Sequence, residues 1–514
     1  MYCTNCGSGS VIKRGRRPLQ DSSYTQRYQC NDCGKNFGVR NDSSTHSFKR
    51  FIPDTIFTEK RYVITSAQNN TETNEAFLGA LENYCQMKGA RLLIYPLMYQ
   101  KNLYEELVWT VPNEYMMEEK VSLNNKVNIM AHNTNPAADN PIGGLDHLAK
   151  GNSLIIPHNQ IAMRSLPVQR NEAPSIIHTT GTVSKPNYTN SKAGAKADFN
   201  HSYAAIVVEF ESDGSFHLRI LNGDENDGFY DVDGYYTEDS FEPIEYTEAL
   251  ITGDEHVMFI DDGVSKATYT AKDSIVNTLK PKVIVRHDVI DCFTISHHHR
   301  KDNFLKYSKY INNMNKIEDE LKETIEYVIN TTPDFAQTVI VSSNHHDHLK
   351  RWLNESDPST EPWNAKIYHY LQYQMLDAIE AHSANETDRL KKIHVPDTFE
   401  LYCEHEYPGK IKFVGRNEDF KVHGIELSNH GDIGANGARG TLNQFSRFSE
   451  KTVTGHAHTP GIMKGAYGVG VSTPKNLEYT NGPSSWCNTH CIIYPNGKRQ
   501  LIFIIKGKWR LVDK

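Results

Sequence analysis

Short apolar runs punctuate the chain, and several end in a tight cluster of polar residues. RYVIT (61–65) reads as a strand. In ETNEAFLGALENYCQMKG the residues Phe77, Leu78, Leu81, Tyr84 and Cys85 fall on one helical face, and Gly89 is placed to end that helix. ARLLIYPL (90–97) is a second strand, so this region predicts a β-α-β unit and a parallel sheet. AAIVVEF and FHLRIL flank Asp213-Gly214, and HCIIY and QLIFIIKG flank Asn496-Gly497. Both pairs predict hairpins, the second closing a sheet edge. The stretch of about 110–200 has little pattern and reads as surface loop. Its Lys192, Lys196 and His201 are candidate ligand contacts only. There is no internal repeat, P-loop or dinucleotide fingerprint.

Five apolar runs lead directly into metal-type donors. ALITGDEHVMF carries Asp254 and His256, PKVIVRHDVID carries Asp288 and Asp291, and QTVIVSSNHHDH carries Asn344, His345 and Asp347. VHGIELSNHGD ends in His430, and VTGHAHTPG holds His456 and His458. In extended chain, residues two apart point the same way, so each Asp-x-His or His-x-His pair is expected to aim into one cleft. In open α/β sheets the carboxyl ends of strands are where ligands bind.

Charge and cysteine usage add a second element. Residues 1–50 hold nine Lys/Arg against three Asp, a net +6 that leaves −14 for the rest of a chain whose total is −8. A basic head on an acidic body suits a nucleic-acid-binding module. Cys3-x2-Cys6 and Cys30-x2-Cys33 supply four thiolates, the donor set of a closed structural Zn²⁺ site. The segment between them reads as two short strands around a polar loop, and with YQCNDCGKNF it resembles a zinc ribbon. Arg14, Arg16 and Arg17 are its candidate phosphate contacts. Cys487 and Cys491 flank His490 but read as ordinary buried residues. The triple His297, His298, His299 reads as a solvated turn that could line a substrate path. No apolar run reaches the roughly 18 residues of a membrane helix, and MYCTNCGSGS lacks a signal-peptide core, so a cytoplasmic protein without a membrane segment is expected.

Taken in order, Asp-x-His, Asp-x-x-Asp, Asn-His, His and His-x-His resemble the calcineurin-like metallophosphoesterase superfamily over about residues 250–470. The resemblance implies a layered β-sandwich flanked by helices, an α/β protein overall. It implies Asp254, His256 and His458 on one cation, Asn344, His430 and His456 on another, and Asp288 bridging both. With oxygen and imidazole donors and no cysteine, Mn²⁺ is the expected metal, with Fe or Zn as alternatives. Such a pair polarises a phosphoryl group and activates water. His345 would stabilise the developing charge or protonate the leaving oxygen. Two positions depart from the family pattern: His287 and Ser343 stand where glycines are usual.

The superfamily includes protein phosphatases, nucleotide phosphodiesterases and SbcD-type DNA nucleases. The basic head and the large N-terminal region lean toward DNA. So does a resemblance of the whole chain to early proteins of tailed phages that serve staged DNA transfer and host-DNA degradation, carried by RYVITSAQNN and PNYTNSKAGAKADFNHSY. The expected protein is a metal-dependent DNase with DNA as partner, a homo-oligomer, with a phage partner protein as a further option. A phosphomonoesterase on nucleotides or phosphoproteins, and a non-catalytic regulator, are the alternatives. The expected layout is a zinc ribbon over 1–40 and a linker over 41–59. An α/β domain over 60–240 and a catalytic domain over 241–514 follow, the latter with a helical insertion at about 349–400.

Overall fold

In a computed structural model the described residues are 2–18, 24–40, 55–99, 106–131, 134–169, 172–475, 477 and 482–512. They divide into two compact units, Met1–Pro53 and Asp54–Lys514. The protein is mixed α/β, with several sheets and helices.

The first unit is a three-stranded antiparallel sheet of Val11–Pro18, Tyr24–Cys30 and Asn36–Arg40. The third strand follows the second CxxC turn and went unread in the sequence, because NFGVR has too little alternation to stand out. Most of the expected linker, residues 41–54, lies outside the described residues. Thr55–Phe57 belongs instead to the second unit, pairing in parallel with Val121–Leu123.

The second unit opens with the predicted β-α-β element. Strand β1 (Arg61–Gln68) runs parallel to β2 (Arg91–Leu97), and helix α1 (Glu75–Lys88) connects them. The Asn74 side chain accepts the Phe77 N–H at the helix start, and Gly89, at φ 61°, ends it in the left-handed conformation glycine favours. All five residues of the predicted face are buried. The hairpin of β3 (Ala204–Phe210) and β4 (Phe216–Asn222) completes a sheet of order β4-β3-β1-β2.

A six-stranded sheet carries β5 (Thr247–Ile251), β6 (Pro281–Arg286) and β7 (Gln337–Val341). Helices α2 (Asn344–Glu355), α3 (Ala365–Asn385) and α4 (Thr398–Glu406) follow β7, and then comes β8 (Lys412–Val414). β5 to β8 are parallel neighbours. A strand of a different sheet, β9 (Lys451–Thr454), precedes the hairpin of β10 (Thr489–Ile493) and β11 (Arg499–Phe503), which adds antiparallel to β5. Along β5 the apolar residues alternate. Ala249 and Ile251 enter the core layer shared with Val453 and Ile462, while Leu250 packs on the opposite face with Ile275 and Leu279.

The layer partner is an eleven-stranded sheet. It joins strands from Thr55–Phe57 through Ser175–Thr179 to strands from Lys421–Val422 through Ala466–Gly468. The joint is an antiparallel pairing of Ala162–Leu166 with Gly461–Met463. The expected domain boundary near residue 240 therefore does not separate two bodies: one sheet and one core run through both halves. The stretch 110–200, read as loop, supplies five strands of this sheet and a helix, Lys192–Phe199. His201 is half-buried, with its Nδ1 2.7 Å from Tyr188 Oη.

Candidate metal centre

The candidate ligands sit where strands end. Asp254 and His256 follow β5, Asp288 follows β6, and Asn344 and His345 open α2 after β7. His430 follows the strand Ile425–Glu426, and His456 and His458 follow β9. Four of these residues have left-handed backbones: His256 (φ 40°), Asp288 (φ 43°), His456 (φ 67°) and His458 (φ 55°). Side-chain-bearing residues adopt this conformation at a cost, and it concentrates at functional sites. His456 and His458 do line one cleft, but they project from a turn and not from extended chain, and they join different donor groups.

Backbone hydrogen bonds hold the loops together. His256 N–H donates to the Asp288 carbonyl at 2.7 Å, Glu255 N–H to His287 at 3.0 Å, and Gly455 N–H to His430 at 2.7 Å. A Cβ on Gly455 would lie 2.3 Å from Asp254 Oδ1 and 3.0 Å from the His287 Cβ, so only glycine fits there. Beneath the loops Arg286, fully buried, donates to Glu255 Oε1 at 3.0 Å and to Tyr269 Oη at 3.0 Å. This ion pair ties together the two segments that carry Asp254, His256 and Asp288. His287 is buried beside His430, the two Nδ1 atoms 3.4 Å apart, and burial, followed by His430, pushes its pKa down to about 4. Ser343 is extended (φ −135°), a conformation open to any residue, so no glycine is needed there.

The donors form two groups that share a residue. Donor atoms of Asp254, His256, Asp288 and His458 lie within 4.8 Å of one another, and so do those of Asp288, His430 and His456. In the first group His256 Nε2 faces His458 Nε2 at 3.2 Å, and His458 Nε2 lies 2.9 Å from Asp254 Oδ2. In the second, His430 Nε2 lies 3.0 Å from Asp288 Oδ2. Ligand atoms about 2.0–2.2 Å from one cation stand about 3–3.5 Å apart, so these separations fit shared coordination. Both oxygens of Asp254, Asp288 Oδ1, Asn344 Oδ1 and His430 Nε2 are buried without an aligned hydrogen-bond partner. Orphaned acceptors converging in this way are costly unless a cation satisfies them. The residues present thus fit a pair of divalent cations.

Electrostatics agree. Burial opposes charge on His256 and His430, but Asp291 on the first and Asp288 on the second lift both to about 9. Despite its burial, Asp288 is held well below the usual carboxylate range by His430 and His345. The site therefore gathers buried negative charge that a cation can balance.

The sequence motifs give Asp291, Arg439 and Trp486 no role, and the structure places all three at the site. Asp291 Oδ2 lies 2.9 Å from His256 Nδ1 and orients that ring. His345 Nδ1 lies 2.7 Å from the Asp291 carbonyl oxygen, and Nε2 lies 3.8 Å from Asp288 Oδ2. A cleft of about 620 Å³ is lined by Asp288, Asn344, His345, His456 and His458, with Arg439 and Trp486 in its wall. Trp486 packs edge-on against His458, ring centres 4.2 Å apart. Neither wall residue could be found by motif, since both come from loops with no donor pattern. His490 accepts the Gly253 N–H at 2.9 Å, and Cys487 and Cys491 are buried, so these three serve the core as expected.

In the first unit Cys3 Sγ lies 3.6 Å from Cys33 Sγ, and Cys6 Sγ lies 3.6 Å from Cys30 Sγ. Disulfide sulfurs are about 2.05 Å apart, while thiolates on one Zn²⁺ at about 2.3 Å stand about 3.8 Å apart, so the four fit a metal. Arg14 Nε donates to Gln29 Oε1 at 2.7 Å. The side chains of Arg16 and Arg17 lie outside the described residues. Among the described residues no helix is long and apolar enough to cross a membrane.

Neither a protein-family model nor a solved structure matches the chain. Over 468 residues it is 34% identical to protein A1 of Escherichia phage T5, covering 88% of this chain and 83% of that protein. The chain belongs to the family of the phage T5 protein A1.

Proposed function

We infer that this protein is a metal-dependent DNA nuclease of the calcineurin-like metallophosphoesterase type, hydrolysing phosphodiester bonds of host DNA early in phage infection. The sharing of Asp288 between two donor groups carries the reading. The face-to-face packing of two sheets, with helices outside, supports the fold assignment. Asp254, His256 and His458 would hold one Mn²⁺, Asn344, His430 and His456 the other, and Asp288 both. When bound, two such cations polarise the scissile phosphate and lower the pKa of water.

The chain's own side chains supply the remainder. His345, its Nδ1 anchored on the Asp291 carbonyl, directs Nε2 to the side of Asp288 and donates a proton to the leaving oxygen. Arg439, in the cleft wall, neutralises a second substrate phosphate. In the first unit the four cysteines hold a structural Zn²⁺, and Arg14, Arg16 and Arg17 contact DNA phosphates.

The test is cleavage of supercoiled and linear duplex DNA with Mn²⁺, Mg²⁺ or EDTA. Asp288→Ala should abolish cutting, and His345→Ala should slow it about 10²–10⁴-fold. Hydrolysis of a small aryl monoester with every DNA form intact would replace the nuclease reading with a monoesterase. Biological activity that survives Asp288→Ala would make the protein a regulator.

A further inference from the structure

A third cluster of imidazoles stands beside the metal centre and belongs to neither donor group. His297 and His298 form a short 3-10 turn after the Asp291 loop, and His348 lies one helical turn after Asn344 on α2. Their donor nitrogens lie within 4.8 Å of one another. The ring centres of His297 and His298 are 3.8 Å apart, and His348 is 5.2 Å from His297 and 6.2 Å from His298. His297 Nδ1 and His348 Nδ1 are both buried without a hydrogen-bond partner. The neighbouring His299 turns away, its Nδ1 lying 2.6 Å from Lys309 Nζ.

We propose that His297, His298 and His348 form a third metal site, which takes an imidazole-preferring cation of the Zn²⁺ class. Two buried imidazole nitrogens without partners cost free energy, and a shared cation removes that cost from both at once. The donor chemistry sets the selectivity. Three nitrogens with no carboxylate suit Zn²⁺, Cu²⁺, Ni²⁺ or Co²⁺ and suit Mn²⁺ or Mg²⁺ poorly, whereas the neighbouring centre is rich in oxygen donors. The flanking guanidinium of Arg300 is paired with Glu355 Oε2 at 2.9 Å, and that of Arg351 with Glu355 Oε1 at 2.9 Å. Glu355 thereby offsets one of those two positive charges next to the site. With three protein ligands, a tetrahedral ion keeps one position for a water or a substrate oxygen. His348 also sits 4.9 Å, ring centre to ring centre, from His345. An ion held there is in contact, through one ring, with the residue assigned to the leaving oxygen.

The experiment measures zinc bound to the full-length protein after equilibrium dialysis, by elemental analysis, for wild type, His298→Ala and the double variant His297→Ala/His298→Ala. His298 is exposed, so its replacement leaves folding intact, and a thermal melt checks this. The expected result is a loss of about one zinc equivalent in the double variant, with His298→Ala weaker in chelator competition. Asp288→Ala, measured in parallel, should lose metal from the neighbouring centre and keep this ion. Equal zinc in wild type and double variant overturns the proposal. So does a loss of about two equivalents or more in a folded double variant, because the three histidines would then belong to the larger centre.

Discussion

Asp291 offers a test of how far the proposed metal centre depends on a residue that would not touch the cation. His256 can ligate through Nε2 only as a neutral ring with its proton on Nδ1. Asp291 Oδ2 lies 2.9 Å from Nδ1, in a contact whose side chains are 0% and 7% exposed. The carboxylate fixes the tautomer, holds the ring plane and makes the nitrogen facing the cation more basic. Removing such a partner lowers metal affinity about 10–100-fold. At about 1.4 kcal/mol per decade this corresponds to about 1.4–2.7 kcal/mol. Asp291→Ala leaves His256 Nδ1 buried and unpartnered, so it belongs at the upper end. Asp291→Asn keeps an amide oxygen to accept the proton but loses the charge, and belongs at the lower end. A Mn²⁺ titration followed by the electron paramagnetic resonance signal of the free ion reads both affinities directly, with a melt to confirm folding. Wild-type affinity in Asp291→Ala, or weaker binding in Asn than in Ala, would refute the argument.

Other substitutions probe other parts of the molecule. Gly455→Ala should displace Asp254 or His287 and cost about 1–3 kcal/mol of stability together with Mn²⁺ binding; an unchanged melt and titration would show that the loop has slack. Asp397 starts α4 and pairs with His346 Nδ1 at 2.8 Å; although burial opposes its charge, His346 and local N–H donors hold its pKa at about 2 against an ordinary 3.8. A depressed carboxylate stabilises above its unfolded pKa and loses that contribution as pH falls through the folded one, so about 2 kcal/mol present at neutral pH should vanish between about pH 4 and 2. Urea melts of Asp397→Asn, which keeps the cap, should show that deficit at neutral pH and none in strong acid; a deficit equal at both would contradict the linkage. Cys6→Ser should unfold the first unit, seen as loss of protection from hydrogen exchange in residues 2–40, while Asp54–Lys514 melts as before.

Much of the fold was legible because it is local. Asn74, the Phe77-to-Cys85 face and Gly89 specify a helix within one window, and Asp213-Gly214 and Asn496-Gly497 specify hairpins in the same way. Strands of three residues such as Val121–Leu123 and Val127–Ile129 are too short to show a period. They are buried only because distant strands cover them. The pairing of Ala162–Leu166 with Gly461–Met463, across almost three hundred residues, leaves no trace in either segment and erases the expected boundary at 240.

The candidate site divides in the same manner. Residue types and their order along the chain already name the candidate donors, because cation chemistry needs carboxylates, amides and imidazoles whatever surrounds them. Which donors meet, and that Asp288 stands between two groups, depends on bringing five strand ends together. The left-handed turns at His256, Asp288, His456 and His458 exist because packing against neighbouring loops over-determines them. Arg286 beneath Glu255, Asp291 behind His256, and Arg439 and Trp486 in the cleft wall are partners by proximity alone. Spacing along a chain carries no record of such contacts, since tertiary packing creates them between segments that share no local pattern.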